Sequence, residues 1–173
     1  MSLLFAALIG WQVQQHIPYQ LCQLEHTNLF VADWDWFVPF LERTGGISRW
    51  LGTWGMQFFD ETVMGSIAFA VPVVLLFVVM AGLMRNLGKS MSVWIPWATG
   101  VSVCQLLSLY DHNFYWWGAL SMALALAGLW LVSLCRPSVR SWLFLAGIPV
   151  VTWGLGAVAC VYVSAGIILF APK

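Results

Sequence analysis

Charge is what this sequence has least of. Seven basic and seven acidic side chains make up 8% of its 173 residues, where soluble domains carry roughly 25%. A soluble fold of this length must cover its surface with polar groups, and the supply falls far short. Lipid is the solvent that removes the requirement. With 61% hydrophobic residues and a mean hydropathy of +0.85, the chain reads as an all-α, polytopic transmembrane helix bundle. Other absences narrow the function. There is no basic run, so there is no electrostatic footprint for nucleic acid. The four cysteines, Cys22, Cys104, Cys135 and Cys160, show no CxxC spacing, and three lie in apolar runs where a thiol acts as a small hydrophobe. No GxSxG, HExxH, Walker or Rossmann pattern occurs. No acid, lysine or arginine falls inside a predicted span, which argues against a proton relay or an ion path through the bundle.

What is present is a series of long apolar runs. Residues 62–84, 91–109, 114–135 and 142–170 each meet the roughly 20-residue requirement for crossing a bilayer. The last is longer than one crossing needs and contains Pro149, so it reads either as a tilted helix behind an interfacial turn or as two half-helices. A shorter opening run, within residues 1–16, is taken as a first span. No basic residues precede it and no clear cleavage site follows, so it reads as a retained helix rather than a signal peptide. That makes about five spans in one domain. Residues 17–61 form a long first loop between the first two. Its second half repeats Ile47, Trp50, Leu51, Trp54 and Phe58 at helical spacing, just after the Gly45-Gly46 break. This amphipathic helix is placed parallel to the membrane at the headgroup boundary, with packing beneath the bundle's own cap as the alternative.

The few charges are sorted by segment. Arg85 and Lys89 occupy one short loop, and Arg136 and Arg140 another, with no acid in either. Six of the seven acids (Glu25, Asp33, Asp35, Glu42, Asp60, Glu61) fall in the first loop and the seventh, Asp111, in the short turn Tyr110–Asn113. These loops alternate with the basic ones along the chain. The positive-inside rule therefore makes loops 85–90 and 135–141 cytoplasmic and the acidic loops extracytoplasmic.

Chemistry, if any, is expected on the acidic face. Asp33 and Asp35 are two residues apart, sharing a face in a strand and diverging in a helix. Such a pair can ligate a hard divalent cation through oxygen or supply a general base. Trp34 and Trp36 between and beside them, with Trp50 and Trp54 further on, are candidate interfacial anchors. The alternative is a solvated loop with interfacial tryptophans. Tyr110-Asp111-His112-Asn113 forms a donor–acceptor set in a turn that needs polar residues in any case, since Asp or Asn also caps a following helix. Asp33, Asp35 and Asp111 are thus the candidate catalytic acids, and Asp35, Asp111 and His112 the candidate ligands of a divalent metal.

Two resemblances bear on this. Leu29-Phe30, Asp35-Trp36-Phe37, Thr44-Gly45-Gly46, Trp50-Leu51 and Gln57-Phe58-Phe59, together with Leu109–Tyr115, resemble an uncharacterised family of Bacteroidota multi-spanning membrane proteins over roughly residues 14–165. Known members are longer, which implies a continuation of the chain or a separate membrane partner. More distantly, acids in the first and second outer loops, with a membrane-parallel helix in the first, are similar in topology to GT-C-fold membrane glycosyltransferases that use polyprenyl-linked sugars. That likeness implies an acid activating an acceptor, with a metal as cofactor. Three readings follow: a membrane subunit or module that scaffolds an envelope complex through its outer face, a GT-C-like glycosyltransferase module, and a transporter component.

Overall fold

The computed structural model describes residue 11, residues 30–109 and residues 115–170. The predicted first span and the Tyr110–Asn113 turn lie outside these residues, apart from Trp11. Among the described residues the structure is helical, without strands, and seven α-helices carry it: α1 (Trp34–Leu41), α2 (Gly46–Met56), α3 (Thr62–Asn86), α4 (Met91–Leu109), α5 (Trp116–Leu134), α6 (Pro137–Leu155) and α7 (Ala159–Phe170). Single 3-10 turns follow α2 at Gln57–Asp60 and α6 at Gly156–Val158. Four helical stretches are long and apolar enough to cross a membrane: Val63–Asn86, Met91–Leu109, Trp116–Leu134 and Pro137–Phe170. They coincide with the four long runs of the sequence, as expected of an integral membrane protein.

The fourth stretch is not one helix. Were residues 137–170 continuous, Phe144 and Gly166 would be about 33 Å apart at 1.5 Å per residue. Instead the Phe144 ring lies against Gly166, stacks on Tyr162 at 5.4 Å between centroids, and meets Phe170 at 6.0 Å. α6 and α7 therefore run antiparallel as a hairpin, and of the two readings of this run the paired half-helices hold. Pro149 stays inside α6, and the reversal falls at Gly156, with φ +71° and ψ −135°. α6 also starts at Pro137 rather than 142. Proline at the first helical position costs no hydrogen bond and favours that start. With 12 residues, α7 reaches only about 18 Å, short of the roughly 30 Å hydrocarbon thickness.

The helices pack as a row. α3 packs against α4 on one side and α5 on the other, while α5 also meets α6 and α7. Two core regions lie along the α3–α5 seam. One is built on Phe69, Val73, Leu109 and Trp116, the other on Leu76, Met80, Leu129 and Tyr162. Small residues of α5, Ala119, Ala123 and Ala125, are fully buried there and let the backbones approach, which replaces the hydrophobic drive that lipid does not supply.

Polar atoms inside the row are few, and two of them lack partners. On α4, Ser102 Oγ and Gln105 Nε2 are buried without a hydrogen bond. An unmet buried donor costs about 1–3 kcal/mol. Gln105→Met keeps the length of the side chain and deletes the amide. It is expected to stabilise the protein by about 1 kcal/mol, read as a higher unfolding midpoint in detergent; a lower midpoint would contradict the assignment.

The cap at the acidic end

α1 and α2 form a cap across one end of the row. The cap meets the start of α5, where Trp117 packs on Gly52 and Trp116 on Gly55. Arg49 adds a cation–π contact, its guanidinium carbon 5.3 Å from the Trp117 ring centroid. The cap also meets the end of α6, where Ile47 reaches Gly154. The sequence places Ile47, Trp50, Leu51, Trp54 and Phe58 on the apolar face of α2. The face seated on the bundle is its neighbour, Ser48, Gly52, Gly55 and Met56, all buried, while Trp54 and Phe58 stay exposed. One residue of offset is 100° around a helix. The indole rings of Trp116 and Trp117 need the space that glycine leaves, so packing selected small residues over large apolar ones. Glu42, Glu61, Asp33 and Asp35 belong to this end. Arg85, Lys89, Arg136 and Arg140 lie at the other, where α3 and α5 finish and α4 and α6 begin.

Candidate functional site

Asp33 and Asp35 sit at the start of α1. Asp33 is its N-cap, with extended backbone (φ −123°, ψ 149°), its Oδ1 accepting the Trp34 N–H at 2.7 Å and its carbonyl accepting the Phe37 N–H at 3.1 Å. Asp35 lies in the first turn, where a negative charge is favoured by the unpaired N–H groups and the helix dipole. Both side chains are exposed. The pair is divided by the helix boundary: Asp33 stands just outside α1 in extended backbone and Asp35 inside its first turn, so the two neither share a strand face nor belong to one helical array. Among the described residues no three His, Cys, Asp or Glu side chains gather to hold a metal ion. Asp111 and His112, the other candidate ligands, lie outside the described residues.

The tryptophans divide into two kinds. Trp36 and Trp50 are half-buried in an aromatic cluster: Phe30 meets Trp36 at 5.0 Å and Trp50 at 5.5 Å, and Phe37 meets Trp50 at 5.0 Å. Trp36 also packs on Phe40 at 4.8 Å. These contacts hold α1 against α2. Trp34 is 67% exposed and Trp54 46%, each backed by one ring, Phe37 at 5.6 Å and Phe58 at 5.1 Å. These two present indole surface outward.

What fastens the cap is a contact the sequence does not announce. Gly45 donates its N–H to the Trp153 carbonyl at 2.8 Å, and Trp153 Nε1 donates to the Leu41 carbonyl at 2.9 Å. Gly45 (φ +76°) and Gly156 (φ +71°) face each other, and a Cβ built on either would come within 3.2 Å of the other's Cα. The turn between α1 and α2 is thus clasped to the turn between α6 and α7, backbone to backbone. Gly45-Gly46 is legible as a chain break; its partner more than a hundred residues on is not, because Gly154 and Gly156 in an apolar run read equally well as small residues for close helix packing.

A second fastening lies beneath. Pro72 interrupts α3, and having no N–H it leaves the carbonyl four residues earlier, that of Ala68, without its helical donor. Trp116 Nε1 donates to that carbonyl at 3.0 Å. The Trp116 ring is 4% exposed, lies on Gly55 and meets Phe59 edge-on at 6.3 Å. One side chain at the start of α5 thus completes the hydrogen bonding of α3 and carries the end of α2.

Among the described residues the site is therefore an aromatic cap seated on a small bundle of apolar helices, with Asp33 and Asp35 exposed at a helix start. The protein's four long apolar helical stretches are consistent with an integral membrane protein. The chain belongs to a family of unknown function, DUF6057, whose match runs over residues 1–172. No curated protein and no solved structure matches the chain.

Proposed function

We propose that the protein is a non-catalytic subunit or module of a larger membrane assembly, and that its outer cap is the surface by which it scaffolds a membrane-protein partner. The observation that carries this reading is the fastening of the cap at both the α5 and the α6 ends. A surface held this firmly presents Trp34 and Trp54 at low entropic cost, and exposed, ring-backed tryptophan is the residue type that anchors protein interfaces. The role of Asp33 as a helix cap gives the acid pair a structural purpose and weakens the glycosyltransferase alternative. The four cations at the far end support a bacterial inner-membrane location with that end in the cytoplasm.

The test uses the full chain in its own cells. A photo-crosslinking residue at position 34 or 54 is expected to give a discrete adduct, and Trp34→Ala with Trp54→Ala to abolish complementation at normal expression. Asp35→Asn and Asp111→Asn are expected to complement fully. Loss of function in either acid variant, with normal expression and membrane insertion, would overturn the non-catalytic reading.

A further inference from the structure

The basic end of the bundle is more ordered than charge sorting requires. Asn86, the last residue of α3, donates from Nδ2 to Ser133 Oγ near the end of α5 at 3.1 Å, and Ser133 is buried. This bond sets the two basic loops side by side. In the first, the Gly88 N–H returns to the Arg85 carbonyl at 2.9 Å and the Lys89 N–H to the Met84 carbonyl at 3.1 Å. That paired closure of a helix end folds Lys89 back over the turn that carries Arg85. In the second, Arg140 Nε donates to the Cys135 carbonyl at 2.8 Å, which holds its guanidinium at the end of α5. Arg85, Lys89 and Arg136 are exposed.

No acid occurs in either loop, and the described acids are at the opposite end of the bundle. Among the described residues no acid stands at this end to offset Arg85, Lys89, Arg136 and Arg140. The backbone adds to the field. α4 and α6 both start at this end, so the positive ends of two helix dipoles lie on this side of the bundle, and α6 begins at Arg136 without a side-chain cap. Arg85 is favoured where it stands by the closing turn of α3, but Arg136 at the start of α6 is not, since a helix start disfavours a cation. An anion outside the chain would offset that cost.

The loops join the ends of apolar helices, so this anion must be found at headgroup depth, and phosphate there belongs to lipid. We propose that the Arg85–Lys89 and Arg136–Arg140 loops together bind the phosphate headgroup of an anionic phospholipid. Its acyl chains lie along the exposed apolar residues beside the loops, Leu134, Val139 and Trp142. The chemistry is charge complementarity at the interface, where each basic residue contributes about a five-fold gain in affinity for an anionic surface.

The full chain, purified in neutral detergent, tests this with four added probes: phosphatidylglycerol, cardiolipin, phosphatidylcholine and inorganic phosphate. The two anionic lipids are expected to raise the unfolding midpoint and to remain bound in native mass spectra, with binding weakened in 0.5 M salt. Phosphatidylcholine and inorganic phosphate are expected to do neither. Arg85→Gln with Arg136→Gln should lower anionic-lipid affinity about 25-fold, whereas Arg43→Gln, which removes a cation from the opposite end, should leave it unchanged. Equal retention of phosphatidylcholine would overturn the proposal, as would an equal loss in Arg43→Gln. A midpoint shift from inorganic phosphate as large as that from lipid would overturn the assignment to lipid. The lipid comparison on the unsubstituted protein stands even where the double variant inserts poorly.

Discussion

Trp116→Ala is expected to destabilise the protein by about 3 kcal/mol, the low end for deleting a buried aromatic, because a lipid-surrounded core loses contacts more than hydration. Two effects add in this number. The ring leaves a void between Gly55 and Phe59, and the Ala68 carbonyl loses the indole N–H that Trp116 donates to it. Trp116→Phe isolates the second, since it keeps most of the ring and removes the N–H. It is expected to cost about 1–2 kcal/mol. A double-mutant cycle then checks the cause. Pro72→Ala restores a backbone N–H to α3 and so supplies Ala68 with a helical donor. In that background Trp116→Phe should cost about 1 kcal/mol less than in the native chain, a coupling of the size seen for contacting groups. Unfolding in detergent titrations measures all four proteins. Strict additivity would show that Trp116 acts by packing alone.

Gly156→Ala is expected to cost about 2–3 kcal/mol. The residue stands at φ +71°, ψ −135°, a region that side-chain-bearing residues enter only with strain of about 1–3 kcal/mol. The added methyl also meets the Gly45 Cα at 3.2 Å, so relief of strain by a shift opens the clasp. Gly45→Ala should cost less, since φ +76°, ψ 11° is the left-handed helical region, at about 1–2 kcal/mol. The two variants share a second readout. Loosening of either turn should raise protease or hydrogen-exchange access at Leu41–Gly46, with the α3–α5 seam unaffected. A Gly156→Ala protein with an unchanged midpoint and unchanged exchange at Gly45 would show that the clasp carries no load.

The candidate site was legible unevenly. The acid pair Asp33 and Asp35 stood out as chemistry because acids beside apolar runs are few. That scarcity holds equally for a helix cap, and Asp is among the best N-cap residues. The start of α1 was obscured by Pro39 within it, which reads locally as a breaker. In α2 the helix was visible by its period, but the face was not. A hydrophobic pattern ranks positions by apolar size, whereas the seat of α2 was decided by which positions admit the rings of Trp116 and Trp117. Trp50 and Trp36 show the same limit. As isolated residues they fit an interfacial belt, and only the approach of Phe30, Phe37 and Phe40 makes them the glue of the cap.

The near-absence of charge, and its sorting by loop, were properties of the sequence alone. They determined a helical chain with four stretches long and apolar enough to cross a membrane, and the exclusion of acids from the Arg85–Lys89 and Arg136–Arg140 loops. Each of these depends on one residue at a time meeting its solvent, so local composition is enough. The hairpin at Gly156, the clasp to Gly45, the donor that Trp116 gives to Ala68 and the joining of two basic loops through Asn86 and Ser133 were decided only by tertiary structure. Each needs two residues tens of positions apart to arrive at one place, and such an encounter leaves no periodic trace in either segment.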